Sequence, residues 1–241
     1  HYVLQKFKVD APDLLQNVKL QVKDMDIHKI DGIEPNVSIK DTWAKMKENN
    51  VKTIPILKDE ELVGVISTGD IATSYMDVYD NRVLSDAKTQ YKNIIKTLDG
   101  TLVTGNEHGY FTKGKVAIGA SNPDLMAEFI EKDDLVILGN RYESQACAVD
   151  IDASCLVVCQ GAKVSEELVQ KAEERSIVII STPHDTFTAA RLINQSIPVK
   201  HFMSKTPLVT FRMSDYVEDY QGSHDKEKVP RLPHTGPAWP L

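Results

Sequence analysis

Three short runs, Leu135–Leu138, Leu156–Cys159 and Ile177–Ile180, are apolar at every position. A strand with one wet face alternates apolar and polar residues, so a run without a polar position has both faces covered. The cover is supplied by helices. Glu166–Arg175 repeats its apolar residues at a helical period behind Ser165, a hydroxyl suited to cap the first turn. From Val83 to Pro198 such segments alternate (GTLVTG, KVAIGA, LMAEFI, DLVILGN, SCLVVCQG, SEELVQKAEERS, IVIIST, HDTFTAARLINQ). The pattern predicts an α/β fold with a largely parallel sheet.

A different texture precedes it. Val51–Leu57 is apolar and β-branched, Lys58–Glu61 is a charged turn, and Leu62–Ile66 is a second apolar run, which together read as a β-hairpin. Ser67-Thr68-Gly69-Asp70 then offers a hydroxyl cap and an early carboxylate before Ile71, Ala72, Tyr75 and Met76, so a helix starts near Thr68. The start of a helix presents unpaired N–H groups and partial positive charge, which suits a phosphate, and Asp70 suits a ribose diol. The alternative use of Ser67, Thr68 and Asp70 is to cap the helix and complement its dipole. Upstream, Asp41–Lys47 is amphipathic and Pro35–Ser38 opens it, giving the order turn, helix, strand, strand, helix.

Composition excludes several partners. A net charge of −7 over 241 residues leaves no broad basic face for nucleic acid or an anionic membrane. No apolar run is long enough to span a bilayer and no signal peptide is evident, so a cytoplasmic location is expected; the opening His1-Tyr2 reads as the start of a fragment. Cys147, Cys155 and Cys159 are odd in number and set in apolar sequence, which predicts buried reduced thiols. The carboxylate pairs Asp24/Asp26 and Asp150/Asp152 have no neighbouring histidine and read as turn or helix charges, so no metal site is expected. A relay of Cys147, His184 and Asp185 is conceivable, but Asp185 falls where it would cap a helix over Thr186–Asn194.

The unit over residues 28–82, with its hairpin and its Ser67-Thr68-Gly69-Asp70 turn, resembles a CBS domain. Residues 83–198 resemble a DRTGG domain at Gly139-Asn140-Arg141, Cys159-Gln160-Gly161-Ala162 and Thr182-Pro183-His184-Asp185, departing from it at Asn140, where Asp is usual, and at Cys159-Gln160, where Thr-Gly is usual. Val199–Ser204 and Leu208–Ser214 resemble the opening of a second CBS copy spanning 199–241, with Ser214 equivalent to Ser38. Residues 1–27 read as a helical connector interrupted at Ala11-Pro12-Asp13. This order resembles the regulatory region of CBS-containing family II inorganic pyrophosphatases.

The resemblance implies an α+β CBS unit beside an α/β DRTGG domain, in a fragment that is not itself the catalyst and needs no cofactor. It implies an adenine slot at Ile33 and Pro35 and at Lys52, Thr53, Ile54 and Pro55, with Ser67, Thr68 and Asp70 on ribose and phosphate, Lys52 as the cation, and Met203, Ser204, Val209 and Phe211 closing the opposite wall. The ligands implied are inhibitory AMP or ADP and activating ATP or diadenosine tetraphosphate. The partners implied are a second copy in a homodimer and the catalytic domains of a parent that uses manganese or cobalt and magnesium. Two other readings compete: a dimerisation module that binds no ligand, and an enzyme built on the α/β part.

From about Tyr220 the text loses periodicity and carries Pro230, Pro233, Pro237 and Pro240. Back-translated from Ser223 and read one nucleotide later, it can give VMTKKRYRDFPILDQHGHY, which resembles the missing continuation of a second CBS copy. A shifted reading frame near Gly222 is therefore expected, with irregular structure and weakened nucleotide affinity.

Overall fold

The computed structural model describes residues 6–7, 19–76, 80–205, 208 and 210–218. The segment after 218, with the expected frame shift, lies outside the described residues, as does Val209. The chain divides into two compact units, residues 1–30 with 207–241, and residues 31–206.

In the first unit the backbone at Leu20–Lys23 pairs with a distant segment. Gln21 bridges Tyr216 antiparallel, the Val22 and Lys23 N–H groups donate to Asp215 (2.9 Å) and Met213 (3.0 Å), and Val217 donates to Leu20 (2.9 Å). These bonds spend the donors that a helix would use. Of the helix expected over 1–27, the described stretch 19–27 therefore keeps only one 3-10 turn, Val22–Asp24, while Lys6 and Phe7 are helical.

The second unit opens with helix α1 (Ile39–Glu48), capped by Ser38 Oγ, which accepts from Asp41 N–H at 3.1 Å. Strands β1 (Thr53–Lys58) and β2 (Glu61–Ser67) form the antiparallel hairpin, turning through Asp59 and Glu60, both at positive φ. Helix α2 (Thr68–Met76) follows at once. The chain then passes through α3 (Val83–Asp86), β3 (Thr89–Gln90) and α4 (Tyr91–Thr97). Next come β4 (Thr101–Thr104), β5 (Tyr110–Phe111), which pairs with β3, and β6 (Val116–Ile118). The remainder alternates: α5 (Pro123–Phe129), β7 (Leu135–Leu138), α6 (Tyr142–Asp150), β8 (Cys155–Val158), α7 (Glu166–Glu174), β9 (Val178–Ser181) and α8 (Thr186–Leu192).

The main sheet has the order β4-β9-β8-β7-β6, parallel throughout except for β4 against β9. Its residues divide by period two. Val136, Leu138, Leu156, Val158 and Ile179 pack with Met126, Ala148, Val149, Leu168 and Ala172 from α5, α6 and α7. The alternate residues Leu135, Ile137, Cys155, Val157 and Ile180 are equally buried on the other face. That is the double cover demanded by runs with no polar position. Ser165 and Asp185 cap α7 and α8, accepting from Leu168 and Thr188 N–H, and α8 closes into a 3-10 turn over Ile193–Ser196.

Candidate nucleotide site

The hairpin is widened on both edges. On the β1 side Ile33 forms a parallel bridge to Ile56, donating its N–H to Pro55 O (3.0 Å) and accepting from Leu57 N–H (2.9 Å). On the β2 side Ser204 forms an antiparallel bridge to Val65, donating to Val65 O (2.9 Å) and accepting from Val65 N–H (3.3 Å). The result is a four-membered row in which residues near the start and the end of this unit flank one hairpin. Gly64 allows it: a Cβ there would lie 2.7 Å from Met203 Sδ and 3.0 Å from Ser204 O.

At the open end of the hairpin Thr53 pairs with Ser67, and Thr68 N–H donates to Lys52 O at 2.9 Å, which gathers Lys52, Thr53, Ser67, Thr68 and Asp70 around the start of α2. Ser67 and Asp70 form a reciprocal cap. Asp70 N–H donates to Ser67 Oγ (3.2 Å), while Ser67 N–H and Oγ–H both donate to Asp70 Oδ2 (2.7 Å each). Both side chains are thus engaged in the cap, and a ligand at this helix start would compete for them. Gly69 N–H has no acceptor among the described residues, and around its Cβ position only Ser67 Oγ comes within 4 Å. It is the donor at this helix start open to a phosphate oxygen. Sequence reading passed over Gly69 as a site residue, although a glycine in the first turn was its signal. Lys52 is exposed and forms no ion pair among the described residues. A second cation, Lys45 on α1, donates to the Gly32 carbonyl at 3.2 Å, beside Ile33.

Other expected site residues are placed differently. Ile54 is 0 % exposed and Pro55 is buried, so both belong to the core behind the slot and present no surface to a ligand in this conformation. The sheet consumes both backbone groups of Ile33, and Lys200 N–H occupies the Pro35 carbonyl at 3.0 Å. A base edge read by backbone here must share acceptors that are already bonded. Met203 and Ser204 lie half-buried across β2 from Ile33. Phe211, also half-buried, belongs to the other compact unit.

The conceivable relay of Cys147, His184 and Asp185 is not assembled. Cys147 Sγ donates to Pro123 O at 3.5 Å, His184 Nε2 lies 3.0 Å from Asp99 Oδ2, and Asp185 is spent on the α8 cap. Burial pushes the Cys147 thiol up, with Asp150 and Asp124 adding to it, the opposite of nucleophile activation. Asp150 at a helix end and Asp152 in the following turn are solvent-accessible charges, as read from the sequence, and both lie beside Arg175, whose Nη1 donates to Asp152 Oδ1 at 2.8 Å. Among the described residues no group of three His, Cys, Asp or Glu side chains is placed to hold a metal ion, and no helix is long and apolar enough to cross a membrane.

Comparison with known proteins places these elements. A CBS-domain family profile matches residues 22–77 and a DRTGG-domain profile matches residues 93–196. The chain is 37% identical over 233 residues to the cobalt-dependent inorganic pyrophosphatase of Clostridium perfringens, covering 96% of this chain and 42% of that protein. It is 26% identical over 210 residues to the probable manganese-dependent inorganic pyrophosphatase of Thermotoga maritima, covering 87% of this chain and 38% of that protein. The chain thus spans about two fifths of the length of these relatives. A crystal structure of the CBS and DRTGG domains of the regulatory region of Clostridium perfringens pyrophosphatase, complexed with its activator diadenosine tetraphosphate, superposes with a TM-score of 0.81 at 37% identity. That match covers 87% of this chain and 92% of the other.

Proposed function

The chain belongs to the family of pyrophosphatase regulatory regions built from CBS and DRTGG domains, and on that premise we propose that it senses adenine nucleotides on behalf of an attached manganese- or cobalt-dependent pyrophosphatase. In this reading AMP or ADP favours an inhibited arrangement, and ATP or diadenosine tetraphosphate an active one. The observation that carries it is the convergence of Lys52, Thr53, Ser67, Thr68, Gly69 and Asp70 at one helix start. There a cation, an open N–H and a carboxylate meet the three chemical demands of a nucleoside phosphate. The fragment itself is non-catalytic, and catalysis resides in the parent's other domains. Regulation requires a ligand to bind two arrangements of the region with different affinity, since equal affinity shifts nothing. A cytoplasmic homodimer is part of the same proposal, checked by light scattering of the purified chain.

Calorimetry with AMP, GMP, CMP and UMP, and with diadenosine tetraphosphate, tests the proposal. Preferred binding of the adenine ligands is expected, and Asp70→Ala should weaken it by about 1–3 kcal/mol. Equal affinity for all four monophosphates, or no binding, leaves a purely structural module. Pyrophosphate hydrolysis by the isolated chain with manganese, cobalt or magnesium would overturn the non-catalytic reading.

A further inference from the structure

We propose that the DRTGG domain carries a second ligand site, for a small organic cation bearing ammonium groups, in a cavity at the amino ends of β7, β8 and β9. The cavity is an open depression of about 740 Å³, and its walls come from three helix-to-strand turns together with the loop after β4 and the start of α4. Tyr91, Tyr110, Asp133, Asp152, Glu173 and Arg175 furnish it with charge and aromatic surface. None of the nucleotide-site residues lines it.

The charge balance selects the ligand. Both cations of the wall are engaged: Arg175 donates to Asp152 Oδ1 at 2.8 Å and to the Val149 and Asp150 carbonyls, with Asp150 Oδ1 3.9 Å from its Nη2, while Lys132 Nζ lies 3.8 Å from Asp152 Oδ2. Asp133 and Glu173 have no cation within ion-pair distance among the described residues. Among the described residues Glu173 accepts only the Thr104 hydroxyl, at 3.1 Å. Two carboxylates therefore face the cavity without a counter-charge.

Tyr91 supplies an independent pointer. It is 6% exposed, it lines the cavity, and its hydroxyl has no hydrogen-bond partner among the described residues. Burial resists ionisation of this phenol, and the neighbouring Cys155 and Asp133 resist it further, so it stays neutral and offers acceptor lone pairs. An ammonium group is a donor without acceptors, and carboxylates, a phenolic oxygen and aromatic rings are the surroundings that hold it. With three carboxylates (Asp133, Asp152, Glu173) against two cations (Lys132, Arg175) the lining is net negative by one charge, so an anion is disfavoured, and an uncharged alcohol would leave Asp133 and Glu173 without an ion-pair partner.

Calorimetry of the whole chain with putrescine tests this, with butanediol and succinate as the uncharged and anionic controls. Saturable binding of the diamine alone is expected. Asp133→Asn combined with Glu173→Gln should weaken it at least about tenfold, and Tyr91→Phe should weaken it measurably, with the urea unfolding curve showing each variant folded. Asparagine tolerates the left-handed backbone of Asp133 (φ 70), so Asp133→Asn alone serves if the double variant does not fold. Absence of putrescine binding, equal binding of butanediol, or unchanged affinity in folded variants lacking the carboxylates would overturn the proposal.

Discussion

Gly64→Ala is the sharpest test of how the candidate nucleotide site is assembled. The new Cβ would stand 2.7 Å from Met203 Sδ, 3.1 Å from Met203 Cγ and 3.0 Å from the Ser204 carbonyl oxygen. The thioether can swing aside. The carbonyl cannot, because it is held by Val65 N–H at 3.3 Å while Ser204 N–H holds Val65 O at 2.9 Å. Relief must come from lifting Met203 and Ser204 off β2, which weakens two backbone hydrogen bonds of about 0.5–1.5 kcal/mol each, a total of about 1–3 kcal/mol. Alanine restricts the unfolded chain and returns about 0.4–1 kcal/mol. Taking the middle of each range, a net loss of about 1.3 kcal/mol remains, or about 3–5 °C in Tm for a chain of this size. Thermal unfolding followed by circular dichroism measures the loss, and amide exchange at Val65 and Ser204 locates it. An unchanged midpoint with full protection of those two amides would refute the reasoning.

Asp134 is 1% exposed, accepts from Lys115 N–H and Glu131 N–H at 2.9 Å each, and pairs with Lys115 Nζ at 3.0 Å. Asp134→Ala should cost about 3–5 kcal/mol in urea unfolding, and a loss below about 1 kcal/mol would show that the clamp is not structural. The hydrogen bond from His184, and then that from Lys40, holds the Asp99 carboxyl below its ordinary value of 3.8. The folded state therefore favours the carboxylate, so this contribution is present above pH 3.8 and is lost as pH falls through the lower folded value. Asp99→Asn should flatten that acid limb in unfolding curves taken across the window; an identical limb counts against the pair. Gln160 sits at φ 61, a left-handed conformation that glycine adopts without strain, so Gln160→Gly should be neutral to stabilising by up to about 1 kcal/mol, and a clear destabilisation would mean that its side chain is needed.

What the sequence by itself determined is local. The all-apolar runs could only be doubly covered strands, Ser38, Ser165 and Asp185 could be read as caps, and the hairpin from Thr53 to Ser67 followed from two apolar runs about a charged turn. Each rests on residues a few positions apart, where periodicity and capping chemistry act without long-range help. Tertiary structure decided whatever depended on residues far apart in the chain. Leu20–Lys23 gave up a helix because Met213 and Asp215 offered acceptors, and Ile54, a site residue by its position in the motif, is fully buried in the core behind the hairpin. Asp150 and Asp152 became Arg175's partners across a sequence gap that no local pattern spans. The cavity at the amino ends of β7, β8 and β9 was equally illegible, since parallel strands bring successive helix-to-strand turns, with Asp133 and Glu173, to one end, where the start of α4 adds Tyr91.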